Sequence, residues 1–217
     1  MSGLPGSALV ARGGLVLVEP ATGRPLRTVR FQFNPDTLSR TLTPQGIGSE
    51  PGDRLETLRL KGPAHETYRF DAEFDAADQL AAPDANPVEA TAGLRPVLAA
   101  LESALSPTVA ELLDSDRMAG LGMIEVAPVE APLTVLVLGA ERVLPVRLTE
   151  LSVTEDGFDS RLRPIRAKVT LSARVLTVDD LGYTHRGGLL YLAHHRSQER
   201  YAAMVVRTPA DLGLTSI

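Results

Sequence analysis

The chain contains no cysteine and no tryptophan among its 217 residues, and aromatic residues make up only 4%. The missing thiols exclude disulfide staples, thiolate nucleophiles and zinc sites built on Cys ligands. Scarce aromatics and the lack of any basic run argue against a stacking platform for single strands or an electrostatic footprint for duplex DNA. No apolar run approaches the length of a membrane span, and the start, Met1-Ser-Gly-Leu-Pro5, lacks the basic and apolar regions of a secretory signal. Lysine is also rare: of 22 basic residues only Lys61 and Lys168 are lysine. Arginine suits interfacial ion pairs better than lysine does. With 44% hydrophobic and 23% charged residues and a net charge of −5, the composition is that of a globular chain with a real core.

The patterning is mainly β. Residues 1–13 read as a flexible start, 14–180 as one β domain, and 181–217 as a C-terminal helical extension. Leu15–Val18 and Leu26–Phe33 bracket a Gly/Pro-containing turn and predict a hairpin, stopped by Asn34-Pro35-Asp36. Residues 41–57, rich in Gly, Pro, Ser and Thr, read as an exposed loop or arm. Tyr68, Phe70, Ala72 and Phe74 alternate with polar residues, giving a strand with one buried face. Residues 75–92 read as a loop. Leu94, Val97, Leu98, Leu101 and Leu105 then recur at helical spacing, and Thr108 to Glu111 matches a capping box before a short second helix. Residues 114–132 read as another loop.

Three further β segments follow. Leu133–Leu138 is apolar on both faces. In Val143–Thr154 the apolar phase slips between Leu148 and Leu151, which predicts a bulge or bend near Thr149-Glu150. After a turn over 155–160, Ile165–Val175 alternates regularly. Leu189–Val206 reads as a helix.

Chemistry-bearing motifs are sparse. His65-Glu66-Thr-Tyr-Arg69 begins like a zinc-protease helix but has arginine in place of the second ligand, and it lies in a strand. His185, His194, His195 and Glu199 are spaced so that ligands could meet, and bound zinc would be their signature. Gly120-Leu-Gly122 lacks the rest of a dinucleotide fingerprint. Neither a nucleophile elbow nor a phosphate-cradling Gly-Lys-Ser/Thr loop is present. The residues thus point to no catalytic centre, no cofactor and no metal.

The order of elements carries a family resemblance. Phe33-Asn34-Pro35 ends an early strand, a polar loop follows, and then comes Leu60 to Asp75 with Tyr-Arg-Phe-Asp-Ala-Glu-Phe at its centre. The helix Leu94 to Leu101 precedes the later strands, and Pro164-Ile-Arg-Ala-Lys-Val169 closes the set. Over residues 14–178 this resembles the tube-protein N-terminal domain family of contractile injection systems, which are phage-tail-like particles. Three features depart from the family: Leu138-Gly139-Ala140 stands where a Trp-Gly pair is common, the loop at 106–132 is longer than expected, and the 37 residues 181–217 carry no LysM pattern.

The resemblance implies a tube-like β-barrel or sandwich with one packed helix and a C-terminal helix. It implies a non-enzymatic adaptor, a hexameric ring joining inner tube to spike at the baseplate, with the inner-tube protein, the spike protein and other baseplate proteins as partners. Assembly would be cytoplasmic, within a particle that can be released whole, with neither nucleic acid nor membrane insertion. Arg147, Thr149, Glu150, Arg166, Lys168, Thr170 and Arg174 are the candidate inter-subunit residues. The alternatives are an inner-tube subunit or tube terminator and, from another class, a monomeric β-barrel binding a small ligand.

Overall fold

The computed structural model describes residues 12–46, 59–121, 130–205 and 211. Most of the expected flexible start at 1–13 and the second part of the expected arm, 47–57, lie outside them. One antiparallel sheet of seven strands dominates. In chain order the strands are β1 (Gly14–Val18), β2 (Pro25–Arg30), β3 (Leu38–Gly46), β4 (Leu60–Asp75), β5 (Leu133–Val137), β6 (Val143–Phe158) and β7 (Pro164–Val175). In space they run β2-β1-β5-β6-β7-β4-β3. Six helices accompany them among the described residues: α1 (Ala77–Ala81), α2 (Pro87–Ala92), α3 (Arg95–Glu102), α4 (Val109–Gly120), α5 (Val178–Leu181) and α6 (Arg186–Ala203).

The first hairpin, the alternating strand β4, the helix α3 and the long pair β6–β7 stand where the sequence places them. The expected slip in β6 is a bulge: pairing with β7 shifts between Leu148 and Glu150. Thr149 is the extra residue, and its hydroxyl donates to the Ser172 carbonyl at 3.1 Å. Without that residue Leu151 and Val153 would face solvent; with it they pack on the same core as Leu144, Val146 and Leu148.

Several boundaries differ from expectation. Residues 41–46 are not loop but the second half of β3, held by pairing from Leu38 opposite Phe70 to Gly46 opposite Leu60. The stretch 75–92 contains α1 and α2, where alanine-rich segments favour helix and Pro87 occupies the first turn of α2. Helix α4 runs to Gly120, well into the expected 114–132 loop; the rest of that loop lies largely outside the described residues. β2 ends at Arg30 rather than Phe33; beyond it Phe31 is buried and Phe33 is exposed. β6 continues to Phe158, paired with Pro164, and the turn shrinks to 159–163. Asp159 holds that turn by accepting the N–H groups of Arg161 and Arg163 at 2.8 and 2.9 Å. The Arg163 guanidinium beside it holds the Asp159 carboxyl at about 2. Helix α6 begins at Arg186 rather than Leu189, because the His185 ring accepts the Gly187 N–H as an N-cap.

Among the described residues no ladder joins β2 to β3. The two flanks of the sheet meet instead through side chains. Phe31 lies edge-on to Phe70 of β4, ring centres 5.5 Å apart. The Gln32 amide donates to the Asp75 carbonyl and accepts the Asp75 N–H, both at 2.7 Å, as a neighbouring strand would. Inside this curl Leu15, Phe31, Tyr68, Leu136, Leu144 and Leu171 form one core with Leu98 and Leu101 of α3 and Tyr191 of α6. Each such side chain contributes about 1.5–3 kcal/mol by leaving water. Gly93 is required between α2 and α3: its φ is +61°, and a Cβ there would lie 2.5 Å from the Pro164 carbonyl oxygen.

Candidate interaction surface

The period-two geometry that buries one face of β4, β6 and β7 lines up polar residues on the other. Across that outer face the registers give successive rows: Thr67, Arg174 and Arg147; Arg69, Ser172 and Glu150; Asp71, Thr170 and Ser152; Glu73, Lys168 and Thr154; Asp75, Arg166 and Asp156. The six candidate residues Arg147, Glu150, Arg166, Lys168, Thr170 and Arg174 lie on this face, and Thr149 lies in the bulge beside it. The structure brings them together and supplies acidic partners from β4 and α5.

Lys168 pairs with Asp71 at 2.8 Å, and Thr170 donates to the same carboxylate at 2.8 Å. These contacts, Lys168 first, lower the Asp71 pKa, and Asp71 in turn raises that of Lys168. Arg166 faces Asp75 at 3.8 Å, and Arg69 faces Glu150 at 3.6 Å. Arg174 pairs with Asp180 at 2.6 Å. Burial opposes ionisation of Asp180, but the Thr177 N–H and the Arg174 guanidinium outweigh it and lower its pKa. Exposed pairs of this kind contribute at most about 1 kcal/mol each, so the face is satisfied internally yet its charges exchange partners at little cost. Arg147 makes no ion pair among the described residues. Beside this face, a cleft of about 540 Å³ opens between the turn 33–37 and β4, with Arg69, Asp71, Glu73 and Lys168 on its wall.

The backbone edges lie elsewhere. β7 is paired with β6 on one side and β4 on the other, so it has no open edge. Among the described residues, β6 is covered by β5 only from Val143 to Val146. β2 and β3 terminate the sheet, and β3 is exposed along nearly its whole length.

The histidines do not form a centre. His65 is exposed and Glu66 buried, on opposite faces of β4. His185 caps α6, and His195 stacks on Tyr191 and faces Glu199 at 3.7 Å. His194 turns inward. No group of three or more metal-ligating side chains occurs among the described residues.

Sequence reasoning missed a polar cluster on the inner side. Glu66 is in phase with Tyr68 and Phe70, which is the signal that it points inward; it accepts a bond from Arg40 of β3. His194 and Tyr68 are buried near it; the hydroxyl lies beside Glu66 and the imidazole beside the Glu141 backbone, both short of full hydrogen-bond geometry. Burial holds the His194 pKa below the ordinary value, against the pull of Glu66, and raises that of Tyr68.

No protein-family model matches this chain, and no curated protein matches it. No helix among the described residues is long and apolar enough to cross a membrane.

Proposed function

We propose that this chain is a structural, ring-forming subunit of a contractile injection system, an adaptor that joins inner tube to spike at the baseplate. It acts by holding partners and transmitting force, without catalysing a reaction. The observation that carries this reading is a single curled sheet whose terminal strands, β2 and β3, have no further strand paired to them among the described residues, beside a broad face of exchangeable ion pairs. Unlike edges meeting head to tail generate a ring when the rotation between copies closes, and unpaired strand edges provide the hydrogen bonds for it. In that assembly β2, β3 and the uncovered part of β6 supply backbone pairing. Arg147, Glu150, Arg166, Lys168 and Arg174 meet the neighbour through side chains. The tube-like barrel implied by the family resemblance is then completed between copies.

The ligand-barrel alternative needs an apolar interior pocket. Here Leu15, Phe31, Tyr68, Leu101, Leu136, Leu144 and Leu171 occupy the interior at 0–1% exposure, so it is not favoured. Reconstitution of the chain with the tube and spike proteins of its own particle tests the adaptor reading. All three are expected in one complex; tube and spike joining equally well without the chain would overturn it.

A further inference from the structure

Helix α4 is well made yet hardly packed against by any described element. Its start carries a complete capping box: Glu111 N–H donates to the Thr108 hydroxyl at 3.3 Å, and Thr108 N–H donates to the Glu111 carboxylate at 2.6 Å. Yet no residue of its 12 is buried, and no strand or helix of the described residues packs substantially against it. Val109, Leu112 and Leu113 share one side by helical spacing and are 73, 55 and 65% exposed. Asp116 lies on the same stripe, one turn further on, and makes no ion pair among the described residues. A helix this short is marginal in water on its own, so an exposed apolar stripe on it calls for a partner.

The matching surface lies on α6. Its inner side buries Gly187, Gly188, Tyr191, His194 and Ser197. Its outer side presents Leu189, Ala193, Arg196, Arg200 and Met204 at spacings of four, three, four and four, a single exposed stripe. The two arginines have no carboxylate partner among the described residues; Arg200 donates only to Ser197 at 3.3 Å. Glu199 lies off the stripe and faces His195. One helix thus carries an acid at the end of its apolar stripe, and the other carries two arginines between apolar residues.

Within one chain the elements that lead to the two stripes are anchored at opposite ends of β6. The helices before α4 are rooted at the β6–β7 turn, where Leu94 N–H donates to the Pro164 carbonyl at 3.0 Å and Arg163 donates to the Ala90 carbonyl at 2.8 Å. The far end of α6 is tied to the start of β6, where the Tyr201 hydroxyl bonds to Glu141. Sixteen residues of β6 separate these ends, roughly 50 Å along the strand, whereas α4 is about 18 Å long.

We infer that α4 is a docking arm that seats its Val109, Leu112, Leu113 and Asp116 stripe on the Ala193, Arg196, Arg200 and Met204 stripe of α6 in a second copy of this chain. The contact joins unlike surfaces and is therefore head to tail. It rests on the ring reading only in requiring that copies meet.

The absence of native cysteine makes a direct test available. Full-length Leu112→Cys and Ala193→Cys chains, which keep Asp116 and both arginines, are mixed and mildly oxidised. A disulfide-linked heterodimer is expected to form roughly tenfold or more faster than with Asp84→Cys in place of Ala193→Cys, because docking raises the effective concentration. Asp116→Arg added to the Leu112→Cys chain should abolish the advantage, and Arg196→Asp with Arg200→Asp in the partner should restore it. Linking no faster than the Asp84→Cys control, in a sample that still assembles, would overturn the docking arm and leave the ring reading standing. Absence of any assembly by native mass, both alone and with the tube and spike proteins, would overturn both.

Discussion

Helices α3 and α4 follow one another in the chain, and both carry an apolar stripe, but they meet different fates. α3 places Leu98 and Leu101 in the core, at 4 and 0% exposure, and its approach is fixed by Gly93 against Pro164. α4 holds Leu112 and Leu113 in solvent behind a complete capping box. The contrast shows that amphipathicity identifies a face without saying what it meets. A stripe that folding does not bury is free for association.

Breaking the contrast begins at Leu101. Leu101→Ala should cost about 2–5 kcal/mol through lost transfer energy and a cavity, whereas Leu112→Ala should change monomer stability by under about 0.5 kcal/mol. Urea unfolding below any assembly concentration measures both, and equal losses would mean that α4 is packed in the monomer.

The inner polar cluster comes next in size. Arg40→Ala leaves Glu66 buried without its cation and should cost about 2 kcal/mol, less than a fully buried pair because Arg40 is partly exposed. Arg40→Met combined with Glu66→Leu should recover most of that loss. A double variant as unstable as the single would show that the pair's worth is more than relief of an unpaired charge.

His194 sharpens the comparison with a third helix, because α6 docks partly through polar groups. Its pKa is lowered in the folded chain from the ordinary 6.5 by burial, against Glu66 and with Arg40 and Arg142 nearby. The unfolded chain therefore takes up the proton first. Stability from this group is full above the ordinary value and is lost as pH falls from there through the depressed one. His194→Gln should flatten the thermal midpoint between pH 7 and 5, and an unchanged slope would contradict the assignment.

The smallest effect is expected at the cap of α4. Thr108→Ala should weaken that helix by about 1 kcal/mol, seen as faster amide exchange over 109–120 with no shift of the global midpoint. A shift of the midpoint itself would mean that α4 unfolds with the core.

Local signals made β4, β7, the Thr149 bulge and the Thr108 cap legible in the sequence, since period and capping chemistry act over a few residues. β3 was not legible, because Thr41 to Gly46 become strand by pairing with the far longer β4 and not by their own pattern. The outer face was legible as a set of polar positions. Its partners Asp71, Asp75 and Asp180 were not, since they depend on β4 lying next to β7 and on α5 folding back beside Arg174. Glu66 looked like part of an aborted metal motif, although its phase with Tyr68 already placed it inside.

The most direct test of a ring-forming subunit is the native mass of the purified full chain, taken alone at rising concentration and with its tube and spike proteins. The account predicts a hexamer, alone or nucleated by those partners. A strict monomer under every condition, binding neither, would contradict it.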